Sequence, residues 1–269
     1  MILQKIADSI VVGADSMVGA YLVPALASAP AGATPRVAYF CLPPADQVEL
    51  PVDVDAFVFL SSWRVYGLDA GRDVDESAPL FAADAEGRAY ARAEKLIADH
   101  ARNLGKPLAI LRAANLFGNG ISGPMLGLFN RAIRGHYVHV RGNDAMLSAV
   151  TALDAAAVMQ LMAGRNGIFN LSDGQEYTWP QLVTAMTANA GAEKRPVTLP
   201  AKWVKWINRI FGRLPIVAET MSEAAQKPVS QTLTLSTERL RNALNYDFHP
   251  TLEVIARRDA TYPYSSPAK

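Results

Sequence analysis

The chain has 269 residues, half of them hydrophobic, and a formal net charge of +1. A chain of this size can bury a sizeable core without disulfides or metals, and its balanced charge excludes the basic patterning of a nucleic-acid binder. The single cysteine, Cys41, and an N-terminus without a signal-peptide pattern indicate a reducing, cytoplasmic setting. The balanced charge favours a small-molecule partner. No apolar run reaches the roughly 20 residues of a membrane span, so we expect a soluble protein.

The first half of the chain alternates apolar runs with helical patterns. Residues 9–13 predict a strand ending in glycine, and residues 17–27 predict the helix that follows. Two further apolar runs, at 36–42 and 56–62, lack polar alternation, as do strands that are covered on both faces in a parallel sheet. A helix at 89–103 and a strand at 108–112 then continue the βαβ order.

The second half is less regular. We predict helices at 125–134 and 151–162, a strand at 167–171 and a helix at 179–190. Thr178 and Gln181 have the spacing of a capping box at the start of the last of these helices.

Residues 202–214 form a basic amphipathic stretch. Two interpretations of it stay open. The simpler one is a helix that covers a substrate lobe. The other is a membrane-surface helix that binds through Trp203, Trp206, Ile210 and Phe211.

Two motifs fall where a strand is followed by a turn. The run Gly13-Ala14-Asp15-Ser16-Met17-Val18-Gly19 lies at a strand-to-helix turn, where backbone N–H groups and the helix dipole can receive a pyrophosphate. Such a turn needs glycine for structural reasons as well, so the motif alone does not decide its role. The run Leu60-Ser61-Ser62-Trp63-Arg64-Val65-Tyr66-Gly67 ends the third apolar strand, where open α/β sheets bind ligands.

Two more runs complete the pattern. Tyr90-Ala91-Arg92-Ala93-Glu94-Lys95 opens a helix. The next strand ends in Leu111-Arg112-Ala113-Ala114-Asn115-Leu116-Phe117-Gly118-Asn119-Gly120. Asp154 and the closing Leu244-Asn245-Tyr246 extend the match downstream. Together these segments resemble the extended short-chain dehydrogenase/reductase family, the NAD-dependent epimerases, dehydratases and reductases of nucleotide-linked sugars.

The resemblance implies an α/β fold, a shortened Rossmann-type doubly wound parallel sheet with a smaller C-terminal substrate lobe. Residues 1–120 would form the dinucleotide-binding core, and residues 121–269 would add the last core elements and the substrate lobe. The implied activity is hydride transfer on a nucleotide-linked sugar with NAD or NADP as cofactor. Relatives often dimerise, so a homodimer is expected.

The family's site residues carry over by position. Ser62 would hold the reacting oxygen, Tyr90 would act as acid or base, and Lys95 would be its electrostatic helper. Asn115 and Arg64 would contact the substrate. The residues expected to hold the cofactor are Gly13, Ser16, Met17, Val18, Gly19, Leu60 and Ser61.

Three departures support an alternative. Glu94 stands four residues after Tyr90, where the family has its lysine, and Lys95 lies about 100° further round the helix. The stretch from Gly19 to Ser62 is too short for the two extra strands of the family, and Cys41 stands near the place of the acid that takes the ribose hydroxyls. The alternative is a non-catalytic Rossmann-like module for sensing or protein binding that has lost its cofactor chemistry.

Other chemistries are not indicated. The close histidine pair, His136 and His139, has no cysteine or carboxylate at ligand spacing, so we expect no metal site. The sequence also lacks a nucleophile elbow and a phosphate-binding loop of the NTPase type.

Overall fold

The structure is a computed structural model that describes residues 3–6, 8–28, 35–44, 49–118, 123–192, 195–222 and 226–257. The strands are β1 Leu3–Ile6, β2 Ser9–Val12, β3 Val37–Phe40, β4 Ala56–Ser62, β5 Gly71–Val74, β6 Leu108–Ala113, β7 Asn115–Phe117, β8 Val138–Val140, β9 Met146–Thr151, β10 Gly167–Leu171, β11 Glu176–Thr178, β12 Val197–Leu199 and β13 Leu233–Leu235. The helices are α1 Gly19–Ala27, α2 Ala85–Asn103, α3 Gly123–Ile133, α4 Ala152–Leu161, α5 Trp179–Asn189, α6 Ala201–Phe211, α7 Pro215–Met221, α8 Glu238–Ala243 and α9 Thr251–Ala256.

The main sheet has six strands in the order β1-β2-β3-β4-β6-β10. All neighbours are parallel except β1, which pairs antiparallel with β2. Every residue of β3 and of β6 is buried, which explains why their sequences are apolar without alternation. The predicted Rossmann-type parallel sheet is confirmed.

Helices cover both faces of this sheet. Leu22 and Leu26 of α1 share one core with residues of α4, whereas Ala93 and Ile97 of α2 belong to a second core on the other face. Helices therefore flank the sheet on both faces, as predicted for a Rossmann-type fold.

The sheet is shortened at one side. Between α1 and β4 the described residues contain the single strand β3, and the parallel strands β2, β3, β4, β6 and β10 follow one another in chain order. Within the described ranges the strand order therefore never reverses. On the outer side of β2, the place of a further parallel strand is taken by antiparallel β1.

A second sheet, in the order β11-β9-β13-β5, with β7 paired to β9, forms the smaller lobe. Its core includes Phe117, Leu182 and Ile255, which bring β7, α5 and α9 together. The strand β5 comes from the first half of the chain and pairs with β13, while β10 comes from the second half and joins the main sheet. The division at residue 120 stays a prediction.

Helix ends follow their caps. The capping box of Thr178 and Gln181 is present at the start of α5, as predicted. The helix α2 begins at Ala85, one turn before the predicted residue 89, because Asp84 Oδ1 accepts a 2.6 Å hydrogen bond from the Gly87 N–H.

None of the helices within the described ranges has both the length and the apolar character needed to cross a bilayer.

Candidate functional site at the carboxyl edge of the main sheet

Several of the predicted site residues lie at one edge of the main sheet. The register places Val12 beside Phe40 and Phe40 beside Phe59, so the turn after β2, Cys41 after β3 and Leu60 of β4 are neighbours. At the end of β4, Ser62 pairs with Ala113 of β6. This is the edge where open α/β sheets bind their ligands.

The turn after β2 is closed by its own hydrogen bonds. The Ser16 N–H donates to Gly13 O at 2.9 Å, and the Gly19 N–H donates to Ser16 Oγ at 3.0 Å. In a phosphate-binding turn, N–H groups at the start of the helix point at the ligand. Here the serine hydroxyl satisfies the Gly19 N–H, so this donor is not offered to a phosphate.

The two glycines of the turn have structural reasons of their own. Gly13 has φ +79°, and a Cβ there would lie 3.1 Å from Leu42 Cγ, so the Leu42 side chain covers this glycine. A Cβ on Gly19 would lie 2.3 Å from Gly13 O. Both positions therefore require glycine for the turn itself.

The other predicted cofactor residues of the turn pack into the protein. Val18 is buried in the core shared by α1 and α4. Met17 packs against both this core and the core of the smaller lobe.

The position of the ribose-binding acid is apolar. Cys41 is buried, and burial raises the pKa of its thiol to about 12 although a hydrogen bond with Ser16 opposes the shift. A protonated thiol cannot replace a carboxylate as acceptor for two ribose hydroxyls.

These observations test the fit of a dinucleotide. The family holds it at the point where strand order reverses, on free N–H groups and a ribose acid. Here the strand order does not reverse within the described residues, Ser16 caps the turn, and Cys41 replaces the acid. The residues present at this edge do not fit that mode of binding.

Ser62 ends β4 and caps the 3₁₀ turn Trp63–Tyr66. Its Oγ accepts a 3.3 Å hydrogen bond from the Arg64 N–H, and the side chain is half-buried. The hydroxyl thus has a structural partner at the position where the family holds a reacting oxygen.

Tyr90 lies on α2 with its ring stacked on Phe59 of β4, at a centroid distance of 6.2 Å. Burial raises the pKa of its hydroxyl to about 12, with Glu86 raising it further and Arg64 opposing the shift. A general base works best with a pKa near the working pH, so the neutral hydroxyl of Tyr90 is a poor base at pH 7.

Glu94 occupies the lysine position of the family and is buried. Arg112 Nε and Nη2 donate to its two carboxylate oxygens at 3.0 and 2.8 Å, and Ser61 Oγ donates to Oε1 at 2.5 Å. The side chains of Glu94 and Arg112 are only 6% and 3% exposed. The predicted cofactor residue Ser61 is therefore part of a buried ion-pair network.

Lys95 points away from this network. Its side chain is 78% exposed, and Nζ pairs with Asp99 Oδ2 at 2.5 Å, one turn further along α2. The ion pair holds the ammonium group on the solvent face of the helix. This placement does not support the predicted role of Lys95 beside Tyr90.

The two predicted substrate residues also have partners within the protein. Arg64 pairs with Asp84 at 2.7 Å and with Glu86 at 3.3 Å. Asn115 Nδ2 donates to Ser148 O at 3.0 Å, which ties β7 to β9. Leu60, predicted to line the cofactor, is buried in the core on the α1 side of the sheet.

Sequence reasoning missed the residues that extend the ion pair. The Arg112 guanidinium lies over the Tyr66 ring, 4.9 Å from its centroid, and Tyr66 Oη donates to Asn170 Oδ1 at 2.6 Å. The Asn170 N–H donates to Glu76 Oε1 at 2.6 Å. The available signal was an arginine inside an apolar strand, which needs a buried acceptor.

The ionisation of Tyr90 is testable. In protein labelled with ¹³C at tyrosine Cζ, we expect the Tyr90 signal, assigned by its loss in Tyr90→Phe, to move only as the pH approaches about 12. Because the folded-state pKa is raised, the associated stability is present below the ordinary tyrosine pKa and is lost as pH rises through the folded value. Titration of Tyr90 below pH 9 would contradict this assignment.

Comparison with known proteins finds likeness in structure only. No protein-family model and no curated protein matches the sequence. A UDP-N-acetylglucosamine 4-epimerase from Bacillus cereus is 11% identical over 92% of this chain and 95% of that chain, with a TM-score of 0.62. RMD from Pseudomonas aeruginosa, solved with NADPH, is 16% identical over 92% and 96%, with a TM-score of 0.61.

A UDP-glucose 4-epimerase from Thermotoga maritima, solved with UDP-glucose, is 18% identical over 85% of this chain and 76% of that chain, with a TM-score of 0.54. At such identities the likeness establishes the fold and leaves the activity open. The chain therefore has the Rossmann-type fold of the UDP-sugar 4-epimerases and related extended short-chain dehydrogenases/reductases.

Proposed function

We propose that this chain is a non-catalytic Rossmann-type module that keeps the fold of the nucleotide-sugar enzymes without their cofactor chemistry. One observation carries the proposal. Glu94, at the position of the catalytic lysine, is buried and bonded to both Arg112 and Ser61. A carboxylate committed to a structural ion pair cannot supply the positive charge that lowers a tyrosine pKa.

The surroundings of the ion pair support the same proposal. The turn after β2 satisfies the Gly19 N–H with Ser16, and Leu42 covers Gly13. Lys95, the only nearby substitute for the lysine in sequence, is paired with Asp99 in solvent. Each feature removes a different requirement of hydride transfer.

The ligand class to test first is a nucleotide-linked sugar. The epimerase from Thermotoga maritima was solved with UDP-glucose, and this chain shares its fold. A module that senses such a compound needs selective binding but no proton or hydride transfer. The other role of such a module is to bind a protein partner.

NAD(P)-dependent hydride transfer on a nucleotide-linked sugar is the second candidate. It is favoured by the placement of Tyr90 against Phe59, three residues before Ser62 on the same strand. In that case Ser62 would hold the reacting oxygen, Tyr90 would exchange its proton, and Asn115 would contact the substrate phosphates. Lys95 would have to leave Asp99 to assist.

Fluorescence titration with NADH and NADPH separates the two candidates. We expect no binding of either cofactor at concentrations up to about the millimolar range, which is the weak end of useful affinities. Freshly purified protein should show no nicotinamide absorbance after reduction.

Thermal-shift measurements with UDP-glucose and UDP-N-acetylglucosamine run in parallel, since a ligand that binds the folded state raises its stability. Tight NADH binding, together with a turnover that Tyr90→Phe abolishes and Phe81→Ser leaves unchanged, would overturn the proposal in favour of the enzyme. Phe81 suits this control because its side chain is exposed on the surface.

A further inference from the structure

The helix α6 and the residues after it expose an unusually large apolar surface. Six side chains between 45% and 53% exposed form what we call the aromatic face: Trp203, Trp206, Ile210, Phe211, Leu214 and Ile216. Trp203 and Trp206 pack edge to face at 6.1 Å, and Trp206 and Phe211 do so at 6.4 Å. The rings therefore form one contiguous patch, which marks an interaction site on a folded protein.

The two tryptophans and Ile210 of this face do not lie on the side on which α6 packs against the protein. Val204 is the buried residue of the helix. At about 100° per residue, Trp203, Trp206 and Ile210 fall within an arc of about 60°, and Val204 lies about 100° or more away from each of them. The side that Val204 buries and the side that carries the two tryptophans are therefore different sides of α6, so packing through Val204 leaves the tryptophans in solvent.

A basic flank borders the aromatic face. It consists of four exposed cations, Lys202, Lys205, Arg209 and Arg213. The first three lie within another arc of about 60° that adjoins the arc of the tryptophans. Residues 195–218 contain no Asp or Glu, so within this segment no acidic side chain offsets these charges.

We propose that the aromatic face and the basic flank bind the surface of an anionic lipid bilayer, with α6 lying in the plane of the interface. Tryptophan rings are favoured at the headgroup level, where one edge is apolar and the other is wet. Lysine and arginine stems reach along apolar surface while their charges meet anionic headgroups. A helix with one such face and a basic flank is the pattern of interfacial binding.

The positive charge of the basic flank favours an anionic bilayer over a second copy of the chain as the partner of the aromatic face. A two-fold contact through the aromatic face would bring the basic flanks of both copies close together, because the same patch faces itself in such a dimer. Like charges would then oppose the contact. An anionic surface has the complementary sign and attracts the same cations.

Flotation of the full chain with vesicles tests the proposal. We expect the protein to float with vesicles of phosphatidylcholine and phosphatidylglycerol, to remain at the bottom with phosphatidylcholine alone, and to be released by high salt. Tryptophan fluorescence of the unaltered protein should shift to the blue when anionic vesicles are added, because Trp203 and Trp206 leave water.

Two sets of substitutions separate the apolar from the electrostatic contribution to vesicle binding. The triple variant Lys202→Gln, Lys205→Gln, Arg209→Gln should weaken binding about fivefold for each charge, or roughly a hundredfold in all. Trp203→Ser with Trp206→Ser should weaken it at least about tenfold. Because all five side chains are exposed, the variants should keep the unfolding midpoint of the unaltered protein.

The matched controls lie on other surfaces. Phe81→Ser removes an exposed aromatic ring, and Arg92→Gln with Arg102→Gln removes exposed cations from α2. Both controls should float like the unaltered protein. The absence of flotation and of a fluorescence shift at low salt would overturn the proposal, as would equal flotation of all variants. A dimer that Trp203→Ser with Trp206→Ser dissociates would instead assign the face to a second copy.

Discussion

Replacing Arg112 by methionine is expected to lower the free energy of unfolding by about 3–5 kcal/mol. The Glu94 carboxylate accepts two hydrogen bonds from Arg112 and one from Ser61. The substitution removes the two from Arg112, so the buried carboxylate keeps the one from Ser61. A buried charge that loses its partner also loses the attraction that offset the cost of dehydrating it. Removing one partner therefore destabilises the protein by more than the intact pair stabilises it. In a domain of this size the melting temperature should fall by roughly 6–20 °C.

Urea and thermal unfolding of three variants measure this effect. The double variant Glu94→Leu with Arg112→Met should recover much of the loss, because it removes both charges and keeps apolar volume. Lys95→Gln is the matched control, since it breaks an ion pair of the same helix that lies in solvent, and it should change little. Equal effects of Arg112→Met and Lys95→Gln would show that the Glu94 pair has no special structural role.

The Glu94→Lys variant connects this result to function. It restores the lysine of the family but places a second cation beside the Arg112 guanidinium, in a site with almost no solvent. We therefore expect it to be strongly destabilised and to gain no cofactor chemistry. The surroundings of Glu94 have adapted to a carboxylate, and one substitution cannot reverse that adaptation.

The main sheet was predictable because its strands obey a simple rule. A strand covered on both faces needs a run of apolar residues, and β4 was predicted with its observed bounds for this reason. The start of α5 was equally clear, since its capping box is a local pattern of Thr178 and Gln181. In each case the deciding interaction lies within the element itself.

The smaller lobe could not be read in the same way. Its strands β7, β8, β11, β12 and β13 have three residues each, too few to show a period of two. Their existence depends on distant pairing, as between β13 and β5, which lie some 160 positions apart in the chain. The edge strand β1, which pairs with the adjacent β2, was also missed.

In the candidate site, sequence reasoning singled out Glu94 but not the residue that pairs with it. The misplaced Glu94 was visible in the sequence because the family's pattern assigns that position to a cation. Its partner Arg112 was not, because nothing local links a helix residue to a strand residue 18 positions later. The role of Gly13 and Gly19 was ambiguous for a physical reason, since a phosphate turn and a tight structural turn need the same residue.

Asp154 provides the second strong prediction, because this residue fastens the end of the described chain to the main core. Its carboxylate is fully buried at the start of α4 and accepts hydrogen bonds from Tyr246 Oη at 2.7 Å and from the His249 backbone N–H at 3.2 Å. His249 Nδ1 lies 2.7 Å from the same carboxylate, and Thr151 Oγ1 donates to it at 3.0 Å. The Asp154 side chain thus contacts both the start of α4 and the segment after α8.

Asp154→Ala is expected to lower the free energy of unfolding by about 3 kcal/mol, because it leaves the buried Thr151 hydroxyl and the half-buried Tyr246 hydroxyl without this acceptor. Hydrogen exchange adds a readout that a uniform loss of stability would not give. The amides of residues 246–256 should exchange faster than those of β4 and β6, since the segment is released before the sheet opens. Asp75→Asn, an exposed carboxylate that also accepts from a hydroxyl and a backbone N–H, should change neither quantity. If exchange accelerates equally in the sheet and in this segment, Asp154 contributes to global stability and does not act as the local fastening.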